Sequence, residues 1–279
     1  MASILVGGIC GLLGVYIILR GMSYIGHGMS HAIFGGAVAS YIVNLNFYLG
    51  ATTWGFVSAI IINEISKRNK IKADAAIGIV TTAGFAIGVL LISLKRSYIK
   101  NFEALLFGNI LGINDQDLLV IVLVTVITGL FVFIFQKRLL FTVFDRETAQ
   151  VYGVRTDIVD ILFSLVLACV VIASMTSIGV TLLASAIVAP AICARMLTNN
   201  FLKMIVISCT IGITTAFTGM YASFYFNSAS GATIVLFGAA AFGITYGYSF
   251  IHKMYHSHYH GDLKHAHRHR HTETHLHEH

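Results

Sequence analysis

The chain has 279 residues, 57% hydrophobic and 11% charged, with a formal net charge of +6 and a mean hydropathy of +0.82. Soluble domains carry about 25% charged residues, so the composition excludes an ordinary soluble domain and points to an all-α, polytopic membrane protein. The apolar runs are continuous rather than alternating, which argues against a β-barrel. The positive charge calls for no nucleic-acid partner, because Lys and Arg fall between the runs and in the tail, as topology signals do.

Apolar stretches near spanning length are read at 3–19, 24–43, 47–63, 76–94, 118–135, 157–175, 178–197, 203–225 and 230–251. They predict eight or nine transmembrane helices in one domain, 1–251, the number turning on the join at 174–179. Arg20 follows the first run and the chain continues hydrophobic, so no cleavable signal peptide is expected. The second run carries His27 and His31. Small residues, among them Gly7, Gly11, Gly14, Gly35 and Gly36, predict close helix contacts. "SKRNKIK" (66–72) is the densest basic loop and is placed inside. Alternation then puts Arg20, the loop 136–155 and the C-terminal tail inside as well. It leaves Lys95, Arg96 and Lys100 outside, against the rule. "NFEALLFGNILGIND" is too short to span and is read as a surface or re-entrant helix.

In "VFDRETAQVYGVRTD", Asp145 suits an N-cap, Glu147 a first turn and Gly153 the position after a C-cap. A short amphipathic helix between spans is predicted there. The sole proline, Pro190, removes a helical bond to the carbonyl of Ala186. The cysteines Cys10, Cys169, Cys193 and Cys209 are scattered in apolar sequence and read as small buried hydrophobes. From His252 onward the composition changes, and this stretch holds eleven of the thirteen histidines. Residues 252–279 are expected to form a disordered cytoplasmic tail. His256, His258, His260, His265, His267, His269 and His271 are its candidate metal ligands.

His27 and His31 stand four residues apart, so both project from one helical face. An ionisable residue inside a membrane is a functional candidate by default. A zinc protease helix needs HExxH, yet Gly28 follows His27. Haem needs ligands on opposite faces of the porphyrin, which two turns of one helix cannot supply. A transit site remains, where metal binds and also leaves. Two strong ligands suit it, since a closed structural zinc site has four. Ser30, Asn46 or backbone carbonyls are further candidate ligands.

Several blocks, in order, resemble the permease subunits of bacterial zinc and manganese ABC importers. They are "CGLLGVYIILRGMSYIGHGMSHAIFGG", "KADAAIGIV", "LLFGNILGI", "FDRETAQVYGV", "SIGVTLLASAIVAPAICARML" and "SASGATIVL". The resemblance covers about Gly7 to Gly243. It implies an ABC metal-importer permease fold, a bacterial cytoplasmic-membrane location and a homodimer. It further implies cytoplasmic ABC ATPase subunits and an external metal-binding protein. Asp145, Arg146, Glu147, Ala149 and Gly153 then belong to the helix that couples to the ATPase. Lys95, Arg96 and Lys100 become candidate contacts to the binding protein. The family usually has Asp where this chain has His27, four residues before His31, and "LPG" where it has "FGG". The first block also begins close to Met1, which anticipates a start shortened relative to the family.

No lysine follows a glycine, so the chain has no Walker A and is not expected to be an enzyme. Imidazole donors suit zinc, copper, iron and nickel, whereas carboxylate suits manganese. The expected cargo is therefore zinc, ahead of manganese or iron, with no permanently bound cofactor. The rival reading is a gradient-driven transporter or channel working without an ATPase.

Overall fold

The computed structural model describes the backbone of residues 1–67, 73–95, 106–108, 112–260 and 263–268, and the side chains of 1–67, 74–94, 106–108 and 112–251. Ten helices are described: α1 Ala2–Leu19, α2 Ile25–Ile42, α3 Phe47–Lys67, α4 Ala73–Lys95, α5 Asp115–Phe144, α6 Arg146–Val151, α7 Thr156–Ile178, α8 Leu183–Leu197, α9 Phe201–Phe226 and α10 Ser230–Met254. Two segments beyond α10, Tyr255–His260 and Leu263–Arg268, pair as an antiparallel ladder. The all-α class holds for the membrane part.

Each apolar stretch read from the sequence became a helix, and fewer of them meet a spanning length and hydropathy by themselves than the number read. Six of the described helices, α1, α4, α5, α7, α9 and α10, are long and apolar enough to cross a membrane by themselves, against eight or nine expected. The other three fall short of that length and hydropathy for physical reasons. α8 has 15 residues and so extends only about 22 Å, short of a hydrocarbon core near 30 Å. α2 and α3 are diluted by Gly, Ser, Thr, His and Asn. α2 tolerates this because most of its residues are buried against protein. The segment read as a surface or re-entrant helix lies outside the described residues at 101–105 and 109–111.

Sequence signals set the helix ends. Asn114 and Asp117 form a reciprocal capping box at the start of α5. The Asn200 side chain accepts from the Lys203 amide at α9. Asn227, with φ +50°, closes α9.

Among the described helices α1, α2 and α7 are the most buried, and the others wrap them. In α1 and α7 61% of the spanning window is buried, whereas in α5 and α10 the share is 17%. Phe133 and Ile134 of α5 and Phe224 and Phe226 of α9 are exposed, as a lipid-facing surface requires. Between helices, lipid supplies no hydrophobic drive, so close backbone approach matters. The Ser208 hydroxyl of α9 donates to the Gly11 carbonyl of α1 at 2.7 Å. Gly35 of α2 lies against Gly84 and Gly88 of α4, where an added Cβ would collide with the Gly84 backbone. Gly35→Val is therefore expected to cost about 1–3 kcal/mol by overpacking and to lower the thermal midpoint in detergent. Gly129→Val, at a position with open space around it, should leave that midpoint nearly unchanged.

Candidate metal-transit site

His27 and His31 occupy successive turns near the start of α2, and both are half-buried. Their Nε2 atoms lie 3.1 Å apart, one N–H donating to the other nitrogen. The rings meet nearly at right angles, with centroids 4.4 Å apart. Tyr24 stands edge-on to His27 at 5.6 Å, and Phe85 of α4 stands edge-on to His31 at 4.8 Å. The aromatic brackets limit the rotamers of both imidazoles. His31 Nδ1 is buried with no hydrogen bond among the described residues.

This spacing fits a shared ion. Two nitrogens at about 2.0–2.1 Å from one zinc, at right to tetrahedral angles, lie roughly 2.8–3.4 Å apart. Metal would replace the shared proton, because both lone pairs must then face the ion. No group of three or more His, Cys, Asp or Glu converges among the described residues.

Asn46 does not join them. It lies beyond the far end of α2, roughly 16 Å or more along the helix axis from His31. There its side chain accepts from the Tyr48 amide at 2.8 Å. The Ser30 hydroxyl donates to the Gly26 carbonyl at 2.8 Å and keeps its oxygen lone pairs. The sequence reading that grouped Asn46 with the two histidines missed that α2 runs from Ile25 to Ile42 and carries the chain to its other end first.

The second cluster lies at the end of the bundle where α2 begins. Asp145 ends α5 and caps α6, accepting from the Thr148 hydroxyl at 2.5 Å and the Thr148 amide at 2.9 Å. These bonds, the hydroxyl first, hold its carboxyl below the ordinary carboxylate range. A depressed folded value means the cap stabilises above the unfolded pKa and is lost as pH falls through the folded one. Amide exchange at Thr148 should accelerate, relative to the helix interiors, on acidification through that range, and should be fast at neutral pH in Asp145→Ala. Glu147 is exposed in the first turn, and Ala149 is buried beneath the helix. Gly153 has φ +80°, and Val154 N–H returns to the Ala149 carbonyl at 2.9 Å, closing α6 with a left-handed turn. Val151 and Tyr152 are 85% and 75% exposed at its tip.

Arg146 turns toward α7. It bonds Asp157 at 2.8 Å and Asp160 at 2.6 Å. The other oxygen of Asp160 bonds Arg20 at 2.8 Å, and Lys67 reaches Asp157 at 3.5 Å. Three junctions placed on one side by their positive charge thus share one end of the bundle. The roles of Arg20 and Asp160 were not legible in the sequence beyond their position at span ends. Lys95 contributes only its backbone to the described structure, and Arg96 and Lys100 lie outside the described residues. In the tail, His256 pairs in backbone register with His267 and His258 with His265. His260 ends the first strand opposite Leu263, while His269 and His271 lie outside the described residues.

A bundle with six described helices long and apolar enough to cross a membrane is the architecture of a multi-pass membrane protein. The profile of the ABC 3 transport family matches residues 1–248. The chain is 37% identical over 246 residues to the manganese transport system membrane protein MntC of Listeria monocytogenes, covering 88% of each chain. It is 33% identical over 247 residues to a probable iron transport system membrane protein of Haemophilus influenzae, covering 88% of this chain and 87% of the other. Among solved structures, PsaBC from Streptococcus pneumoniae in complex with Fab aligns with a TM-score of 0.78 at 37% identity, covering 88% of each chain. The chain belongs to the ABC 3 transport family and is a multi-pass protein of the bacterial cytoplasmic membrane. These relatives are named for manganese and iron, so the expectation of zinc first finds no support in them.

Proposed function

We propose that this chain is the permease of an ATP-driven importer of a divalent transition metal, with manganese first, iron next and zinc as competitor. The observation that carries the metal site is the convergence of His27 and His31 Nε2 at 3.1 Å on an inner helix. The order of metals rests on the names of the similar proteins. The donor chemistry of two imidazoles pulls the other way, toward zinc.

Metal arrives from an external binding protein, rests between the two imidazoles and moves inward as a pair of permeases alternates. Separate ATPase subunits dock on α6, where Val151 and Tyr152 present apolar surface outside the spans. Lys95 ends α4, Arg96 and Lys100 come after it in the sequence, and the three are proposed to meet the binding protein. The histidine tail follows α10. Gly231 at the start of α10 abuts Ile178 at the end of α7, so α10 returns toward the α6 end. We assign the tail to the cytoplasm, as a buffer for incoming metal through His256, His258, His260, His265, His267, His269 and His271.

The test is reconstitution in vesicles with and without the copurified ATPase, measuring uptake of manganese, iron and zinc in competition. ATP-dependent uptake that manganese competes best is the expected result. Full uptake by the chain alone would replace this reading with a gradient-driven transporter.

A further inference from the structure

The geometry points to Asp160 as a positioning residue that carries movement of α6 to the metal helix α2, by bridging Arg146 and Arg20 with its two carboxylate oxygens. The inference rests on the reading of α6 as the ATPase-docking helix.

Asp160 lies one turn into α7, an inner helix, and its side chain is 14% exposed. One oxygen holds Arg146 on α6, and the other holds Arg20 at the end of α1. Arg20 is the more constrained partner. Its side chain is 6% exposed, its guanidinium lies 4.3 Å from the Phe163 ring centroid, and Nε and Nη2 have no hydrogen bond among the described residues. Asp160 is therefore the carboxylate that compensates this buried cation. An arginine so desolvated is not left unpaired cheaply. When α6 shifts, the cluster moves together or exchanges partners, and either event displaces Arg20.

The path from Arg20 to the site is short and continuously hydrogen-bonded. Gly21 N–H bonds the Ile18 carbonyl at 3.1 Å and Met22 N–H bonds the Ile17 carbonyl at 3.2 Å. Ile25 N–H bonds the Met22 carbonyl and Gly28 N–H the Tyr24 carbonyl, each at 3.0 Å. His27 sits inside that last turn. Rotation of the junction therefore turns His27 relative to His31, which Phe85 of the neighbouring helix holds edge-on, and the gap between the imidazoles changes. Asp157 and Lys67 brace the exposed side of the cluster. Among the described residues they keep Arg146 engaged and form no ion pair with Arg20, so there Asp160 alone bonds both α6 and Arg20.

The test is the amount of metal moved per ATP hydrolysed by the reconstituted permease–ATPase complex, with manganese as probe. Asp160→Asn removes the charge at nearly constant shape. Arg146→Gln cuts the α6 side and leaves the buried Arg20–Asp160 pair intact, so it stays informative if Asp160→Asn folds poorly. In both, the ratio should fall about tenfold, a coupling free energy of ordinary size, with the ATPase still bound. An unchanged ratio in both variants would overturn the inference. Loss of the ATPase from Arg146→Gln would also overturn it, in favour of a docking contact. If the unmodified chain binds no ATPase, the reading of α6 itself fails, which the same preparation reveals.

Discussion

Replacing either His27 or His31 with alanine is expected to lower metal uptake by roughly 10–100-fold, the range over which even outer-shell partners of metal ligands act. Each substitution removes one of two nitrogens that now lie 3.1 Å apart, and no third His, Cys, Asp or Glu stands ready among the described residues. Both side chains are only half-buried, so the bundle should still assemble. His31→Ala also empties space against Phe85, so it should be the less stable of the two. Abundance in the membrane is measured beside uptake to separate the effects. His27→Asp is the sharper variant. It restores the carboxylate that resembling permeases carry, and carboxylate oxygen suits manganese better than imidazole does. It should keep uptake and widen the preference for manganese over zinc. Normal uptake by both alanine variants at normal abundance would remove the site.

Val151→Glu combined with Tyr152→Glu is expected to detach the ATPase and abolish ATP-dependent uptake. Both residues are largely exposed at the tip of α6, so little packing is lost within the chain. Their exposure outside the spans is the kind of apolar surface that marks a protein contact. Truncating a central contact residue commonly costs about 2 kcal/mol or more, and adding charge to a desolvated contact costs further. Copurification of the ATPase with the variant, at normal permease abundance and monodispersity, is the measurement. Retained ATPase would move the docking surface away from α6.

Much was legible in the sequence because its signals are local. Charge poverty and continuous apolar runs specify a helical membrane bundle whatever the packing. The turn at Asp145 and the closure at Gly153 follow from capping chemistry that needs only a few neighbouring residues. The spacing of His27 and His31 already puts both on one face. The number of self-sufficient spans was not legible, because α2 is polar enough to need shielding and only its neighbours supply it. Asn46 was misplaced for a related reason: a short distance in sequence says little once a helix carries the chain to the far end.

The sequence by itself therefore determined the class, the helical stretches, the caps and the histidine face. Only the tertiary structure decided that Arg20, Lys67 and Arg146 meet around Asp157 and Asp160 at one end of the bundle. Arg20 and Asp160 are 140 positions apart. No local propensity encodes that meeting. It follows from α1 and α7 packing together inside the bundle, where a buried cation requires a carboxylate within reach.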